Sequence, residues 1–219
     1  MKLNLIVPLI FICFNAFSQV KNDSIATERV NGQTYKVVYD SSGNLSIYGA
    51  KNKRVLFVNA NELYTERFSS LKFQDFNNDG FKDIIIDYYS NVPDRNDLII
   101  YDPGARKFVQ IKDFPDYPAA IPLKGTKLFY SYHRSGCADY NWDSDLFKII
   151  KFKIVRIGNV SGRTCVDPPD KPGIYISKVK GKRELLFKKF AIDKPADYKD
   201  DKWGLIELYW KNNYMKFSE

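Results

Sequence analysis

The 219-residue chain contains a single histidine, His133, and this scarcity removes several classes of enzyme. A metal centre built on paired histidines is excluded, and there is no Gly-x-Ser-x-Gly nucleophile elbow. A Ser/His/Asp set stays open because triads are assembled in space, and so does a carboxylate pair for glycoside hydrolysis. The residues favour His133 as a hydrogen-bonded side chain at a strand end, in a protein that is not an enzyme.

Long apolar runs are lacking except at the start of the chain. Lys2 precedes an apolar core over 3–14, and Ala16-Phe17-Ser18 places small residues at a cleavage site before Gln19. The core is too short for a bilayer, which takes roughly 20 apolar residues. The sequence therefore predicts a signal peptide over 1–18 and an exported mature chain without a transmembrane anchor. The destination is the periplasm, the outer surface or the medium.

Cysteine is scarce as well, and one of the three, Cys13, falls in the predicted signal peptide. The other two, Cys137 and Cys165, predict a disulfide because exported proteins form such bonds in oxidising compartments. Two free thiols are the alternative.

Acidic residues are outnumbered, 26 against 34 lysines and arginines, which leaves a formal net charge of +8. A basic surface suits anionic envelope glycans, lipid head groups or nucleic acid. No nucleic-acid-binding module is recognisable, and export argues against that partner. The lysines alternate along strand-like segments, which is typical of a solvated strand face. They are Lys148, Lys151, Lys153, Lys178, Lys180 and Lys182.

No apolar pattern with helical spacing extends over ten residues, so strands are expected throughout. Alternating runs and regular turns predict an all-β fold, with antiparallel hairpins in a propeller-like or sandwich-like single domain over 19–219. The run Ile84-Ile85-Ile86 predicts a strand buried on both faces. The predicted hairpins pair 34–39 with 45–48, 97–101 with 107–111, 174–179 with 184–192, and 205–210 with 214–217.

Oxygen-bearing side chains occupy alternate positions of the stretch 75–83, between two predicted strands. This spacing is typical of a Ca²⁺ loop, in which a tight turn brings hard oxygen ligands to one point. Gly80 would supply the left-handed backbone of the turn. Position 12 is Ile86 rather than a bidentate glutamate, which indicates modest affinity and a structural role. An ordinary Asn-Asp-Gly turn is the alternative. The predicted ligands are Asp75, Asn77, Asp79, Asp83 and the carbonyl of Phe81.

A second carboxylate row, 139–145, alternates in the same way but lacks the glycine, so a metal is less favoured there. Tyr140 and Trp142 lie beside the predicted disulfide, and exposed aromatics of this kind stack on sugars or anchor protein interfaces. Asp139, Tyr140, Trp142 and Asp143 therefore form a possible ligand loop. The alternative is that both aromatics belong to the core.

The run Asp75-Phe-Asn-Asn-Asp-Gly-Phe-Lys-Asp83 resembles the calcium motif of FG-GAP/VCBS-type repeats. The wider layout is similar to exported Gram-negative calcium-binding proteins with a propeller-like fold, through Tyr101, Asp102, Pro103, Lys107 and Phe108. That group includes inhibitors of c-type lysozymes. Such lysozymes are basic, so on this basic chain only an acidic patch such as Asp139, Asp143 and Asp145 would suit one.

Together these features predict an exported, calcium-stabilised β protein with a non-enzymatic binding role in the cell envelope. A protein or an envelope glycan is the expected partner. A periplasmic lysozyme inhibitor and an envelope hydrolase using His133 or a carboxylate pair are the alternatives.

Overall fold

The computed structural model describes residues 23–65, 67–167 and 170–217. The predicted signal peptide, 1–18, lies outside the described residues. Within them, no helix is both long enough and apolar enough to cross a membrane.

Two four-stranded antiparallel sheets form the first half of the chain, each with its strands in sequence order. The first sheet consists of β1 (Ser24–Val30), β2 (Gln33–Tyr39), β3 (Leu45–Tyr48) and β4 (Arg54–Val58). The middle sheet consists of β5 (Arg67–Gln74), β6 (Asp83–Tyr89), β7 (Asn96–Asp102) and β8 (Lys107–Ile111).

The third sheet has seven strands in the order β15-β14-β13-β12-β10-β9, and β11 also pairs with β12. Its strands are β9 (Ile121–Pro122), β10 (Leu128–Tyr130), β11 (His133–Arg134), β12 (Trp142–Ile150), β13 (Lys153–Arg163), β14 (Gly173–Lys180) and β15 (Arg183–Phe190). An α-helix, α1 (Asp201–Asn213), follows. Short 3-10 turns lie at Ala50–Asn52, Ala60–Glu62, Phe114–Asp116, Cys137–Asp139, Lys194–Asp197 and Tyr214–Phe217.

The middle sheet is buried on both faces, as the isoleucine run predicts. Ile84 and Ile86 pack into the core shared with the first sheet, whereas Ile85 packs into the core shared with the seven-stranded sheet. Successive side chains of a strand point to opposite faces, so one strand serves two cores. The result is an all-β sandwich of stacked antiparallel sheets, none of them closed into a barrel, and the predicted fold class is confirmed.

Three of the four predicted hairpins are present, and the fourth is wrong. The segment predicted to pair 205–210 with 214–217 forms α1 and a 3-10 turn. Its buried side chains recur at helical spacing, and the seven-stranded sheet offers them an apolar face. Trp210 donates its indole N–H to the hydroxyl of Ser144 on that sheet, at 2.8 Å. Tertiary packing therefore outweighs the strand preference of isoleucine, tyrosine and tryptophan. The buried residues of α1 are Leu205, Ile206, Tyr209 and Trp210.

Gly204 occupies the first turn of α1 although glycine weakens helices. A Cβ atom at this position would lie 1.9 Å from the carbonyl oxygen of Lys199. The preceding chain therefore passes too close to the helix for any side chain, and this close approach accounts for the glycine.

Leucine truncation tests the docking of α1 with a control on the same helix. Leu205 is 1% exposed and Leu208 is 40% exposed, so they share helix propensity but differ in burial. Leu205→Ala should lower the free energy of unfolding by about 2–5 kcal/mol, because it leaves a cavity against the sheet. Leu208→Ala should change it by no more than about 0.5 kcal/mol. Equal losses in urea denaturation would contradict the packing described.

Candidate functional site

The predicted calcium loop connects β5 to β6 and is held by its own polar side chains. The Asp75 carboxylate accepts hydrogen bonds from the backbone N–H groups of Asp79, at 3.1 Å, and Gly80, at 2.9 Å. The Asp79 carboxylate in turn accepts from the backbone N–H of Phe81, at 2.9 Å. Asn78 and Gly80 adopt left-handed φ values of 57° and 90°. Gly80 therefore has the conformation that the sequence assigns to it.

Asp83, the last predicted ligand, is fully buried at the start of β6. Its carboxylate accepts from the backbone N–H of Phe76 at 3.0 Å and from that of Tyr101 at 2.9 Å. Burial is the main cause that raises the pKa of Asp83 to about 7; the two hydrogen bonds oppose this rise, and the negative charge of Asp79 contributes to it. The buried acid thus links the loop to the neighbouring strand β7.

The donor chemistry of this loop suits Ca²⁺. Asp75, Asn77, Asp79 and Asp83 offer hard carboxylate and amide oxygens, and the loop also carries the Phe81 carbonyl. These side chains are engaged with backbone N–H groups, and within the described ranges no three acidic, histidine or cysteine side chains surround one point. A bound cation would neutralise the repulsion between Asp79 and Asp83.

Phe76 fastens the loop to the seven-stranded sheet. Its ring stacks on that of Phe129, with centroids 5.1 Å apart and an interplanar angle of 9°, and meets the edge of Phe114 at 5.3 Å. Because Phe76 lies next to Asp75, any stiffening of the loop also stiffens the contact between the two sheets.

The predicted disulfide between Cys137 and Cys165 is present, with Cα atoms 6.2 Å apart. It joins positions 28 residues apart, and a closed loop of this length contributes about 3.5 kcal/mol in the chain-entropy account. Asn141 reinforces the junction because its side-chain oxygen accepts from the backbone N–H groups of Thr164, at 2.8 Å, and Cys165, at 3.1 Å.

A groove of about 530 Å³ opens beside this disulfide. One wall comes from the segment around the Cys137–Asp139 turn and the other from the segment that leads into α1. Tyr140 is 65% exposed and Trp203 is 47% exposed, whereas Trp142 is only 4% exposed. Further lining residues are Ile174, Ile192 and Pro195.

The ligand loop predicted from the sequence is therefore divided between surface and core. Tyr140 is exposed as expected, but the expectation of an exposed Trp142 is wrong, because Trp142 begins β12 and lies across Gly162 of β13. A Cβ at Gly162 would be 2.3 Å from the indole nitrogen. The exposed indole is that of Trp203, which the sequence analysis missed. Its place after the charged run Asp200-Asp201-Lys202 indicates a surface position, but nothing in the local sequence indicates the groove.

Charge at the groove is mainly negative. Asp193, Asp200 and Asp201 line it, in a chain that is basic as a whole. Asp139 also lines it but is paired, because the Lys202 ammonium lies 2.7 Å from its carboxylate. Burial would raise the pKa of Asp139, but hydrogen bonds from Lys202 and Tyr132 outweigh that effect and lower it.

Asp143 and Asp145 are buried side chains two positions apart on β12, so they lie on the same face of the seven-stranded sheet. The Arg163 guanidinium is 2.6 Å from Asp143, and that of Arg156 is 3.4 Å from Asp145. Burial raises the pKa of Asp145, whereas for Asp143 the opposing hydrogen bonds from Arg163 and Ser135 lower it. Together with the pairing of Asp139, these contacts leave no free acidic patch of the kind expected from the sequence at these three aspartates.

His133 joins the same cluster at a strand end, with its Nε2 atom 3.9 Å from the Asp145 carboxylate. Ser135 donates a hydrogen bond to Asp143 rather than to His133. The structure thus brings together the histidine and the carboxylate pair of the hydrolase alternative, but it connects serine and histidine to different acids. Arg156 forms an ion pair with Asp145, and Arg163 forms one with Asp143. The cluster therefore holds β11, β12 and β13 together.

Comparison with known proteins adds little. No protein family matches the chain, and no curated protein matches it. A solved structure described as "Structure of a Xanthomonas Type IV Secretion System related protein" overlaps 78% of this chain and 95% of that chain. The TM-score is 0.46 at 14% sequence identity, and a likeness of this size carries no argument about function.

The lowered pKa of Asp143 predicts an acid-dependent loss of stability. Because its folded-state pKa lies below the ordinary 3.8, its contribution is present above about pH 4 and is lost as the pH falls through the folded value. In Asp143→Asn, the free energy of unfolding from urea titrations should therefore fall less steeply between about pH 5 and pH 2. Asp87→Asn, which removes a surface pair with Lys72 at 2.8 Å, is the control and should keep the wild-type slope.

Proposed function

We propose that this chain is an exported, calcium-stabilised β protein that binds a ligand in the cell envelope without transforming it. The groove beside the disulfide is the observation that carries the proposal, because it combines exposed aromatic faces with carboxylates in one concave surface.

An envelope glycan is the ligand class that this groove suits best. Tyr140 and Trp203 present ring faces on which the apolar faces of sugars stack. Asp193, Asp200 and Asp201 supply acceptors for sugar hydroxyl groups. A neutral or cationic glycan segment is favoured over a polyanion, which these carboxylates would repel.

The groove is also held rigid before any ligand arrives. The disulfide and Asn141 fix one wall, and Lys202 joins the other wall to Asp139. A pre-organised surface loses less conformational entropy on binding, so fewer contacts suffice for measurable affinity. The disulfide further supports an exported location, since such bonds persist in oxidising compartments.

Calcium is proposed as a structural ion at Asp75, Asn77, Asp79, the Phe81 carbonyl and Asp83. The support comes from the order of oxygen donors along the loop and from the left-handed backbone at Gly80. Bound there, the ion would stiffen the junction that Phe76 makes between the middle and seven-stranded sheets.

The calcium proposal is tested by the thermal midpoint of the mature protein in chelator and in millimolar calcium. At a hundredfold excess over the dissociation constant, the midpoint should rise by about 5–10 °C. Asp79→Ala should abolish this rise. The control is Asp102→Ala, because Asp102 accepts from the backbone N–H groups of Gly104 and Ala105 in a turn outside the loop. An unchanged midpoint in the wild type would sink the proposal.

The groove is tested by co-sedimentation with isolated peptidoglycan sacculi, whose glycan strands are uncharged, at a salt concentration that screens the carboxylates of their peptides. Truncating a stacking aromatic costs about 1–3 kcal/mol, so Trp203→Ala and Tyr140→Ala should each weaken capture about tenfold or more. Tyr89→Ala is the matched control, because Tyr89 is equally exposed but lies on β6 outside the groove. Equal capture by all three variants would contradict a glycan site in the groove.

Inhibition of a c-type lysozyme is the second candidate, and the acidic lining of the groove is what favours it. A basic enzyme could contact the carboxylates of Asp193, Asp200 and Asp201, although the chain as a whole is basic. Lysozyme activity measured with a large molar excess of the protein separates the candidates. Full activity excludes inhibition, whereas inhibition that Trp203→Ala relieves would replace the glycan assignment.

A further inference from the structure

Two hairpins of the seven-stranded sheet end side by side. The β12–β13 hairpin turns between Ile150 and Lys153, and the β14–β15 hairpin turns between Lys180 and Arg183. The pairing is antiparallel throughout, with Gly158 opposite Lys178, so both turns lie at the same end of the sheet. This end, formed by 148–156 and 178–187, is called the hairpin end below.

The hairpin end carries almost all of the excess positive charge of the protein. Its two segments hold eight lysines and arginines and one acid, an excess of seven, and the excess of the entire chain is eight. The single acid, Glu184, is ion-paired with Arg156. The rest of the chain is therefore almost neutral. The cations are Lys148, Lys151, Lys153, Arg156, Lys178, Lys180, Lys182 and Arg183.

Apolar side chains are exposed among these charges. On the edge strand β15, Leu185, Leu186 and Phe187 are all exposed, and Leu186 is 63% accessible. Leu185 pairs with Lys178 and Leu186 with Ser177, so the two leucines lie on opposite faces of the strand. Ile150 and Val155 of the adjacent hairpin are exposed as well.

A solvated strand face explains alternating lysines, but it does not explain exposed leucines on both faces of an edge strand. Edge strands normally avoid such residues because they invite association. The Lys178 ammonium lies over the Phe187 ring, 5.2 Å from its centroid, so positive charge and apolar surface adjoin on this edge strand. Mixed basic and apolar surface of this kind suits the head-group region of a bilayer.

We propose that the hairpin end docks the protein onto an anionic lipid surface. The lysines and Arg183 contact lipid phosphates, and Leu185, Leu186 and Phe187 enter the boundary between head groups and acyl chains. A soluble polyanion would use the charges alone and would leave the leucines in water, which is why a bilayer is the better match.

Docking in this way leaves the groove accessible. Strand β12 begins at Trp142, which lines the groove, and ends at Ile150, which belongs to the hairpin end. Eight residue steps along a strand span about 26 Å, so the two surfaces lie at opposite ends of the sheet. Lipid docking is therefore independent of the ligand proposed for the groove.

The test is flotation of the mature chain, from Gln19 onward, with vesicles of phosphatidylcholine alone or mixed with phosphatidylglycerol. The wild type should float only with the anionic vesicles, and added salt should weaken binding. The triple variant Lys180→Gln, Lys182→Gln, Arg183→Gln should lose roughly a hundredfold in partitioning. The control triple variant Lys51→Gln, Lys53→Gln, Arg54→Gln removes the same charge from exposed positions on the first sheet and should bind like the wild type.

A second pair of variants distinguishes docking on a bilayer from binding to a soluble polyanion. Leu185→Ser with Leu186→Ser should reduce partitioning roughly tenfold, whereas Ile25→Ser with Val55→Ser, also exposed, should not change it. Circular dichroism verifies that all variants are folded. Absence of flotation, equal loss in the two triple variants, or an unchanged Leu185/Leu186 variant would each overturn lipid docking.

Discussion

The rest of the structure depends on the burial of both faces of β6. Ile84 and Ile86 pack one face against the first sheet, and Ile85 packs the other face against the seven-stranded sheet. A sheet with two apolar faces cannot be covered by one partner. Two buried acids, Asp83 and Asp97, secure this sheet through backbone hydrogen bonds to Tyr101 and Tyr64. Apolar packing between the sheets determines how they stack, and the buried carboxylates join neighbouring segments of the chain within this stack.

The proposed functions are arranged around that stack. Phe76 carries the calcium loop to the seven-stranded sheet, and β12 of that sheet runs from the groove to the hairpin end. The stack therefore holds the two proposed binding surfaces apart, one lined by acids and aromatics and the other by lysines and leucines. In the envelope, such a protein would rest on a lipid surface and present its groove away from it.

The sequence indicated much of the candidate site but could not show which of its side chains are exposed. The loop from Asp75 to Asp83 is recognisable because the spacing of its oxygen donors is itself the signal. The cysteine pair is recognisable because two cysteines in an exported chain favour a disulfide. Trp142 and Tyr140 look alike in sequence, yet the first lies across Gly162 and the second faces solvent. Trp203 reaches the groove from a segment more than 60 positions away, and such a contact leaves no local trace. The same holds for the lysines, whose accumulation at one end of a sheet follows from strand pairing.

The sequence by itself determined many of the strands, three of the hairpins and the all-β class, because alternation and turn residues are local properties of the chain. It also placed oxygen donors in order along one loop. Only the tertiary structure decided that the last segment is a helix, because an uncovered apolar sheet face stabilised helical spacing over strand propensity. It likewise decided which aromatics are exposed and where charge accumulates, because these depend on contacts between distant parts of the chain.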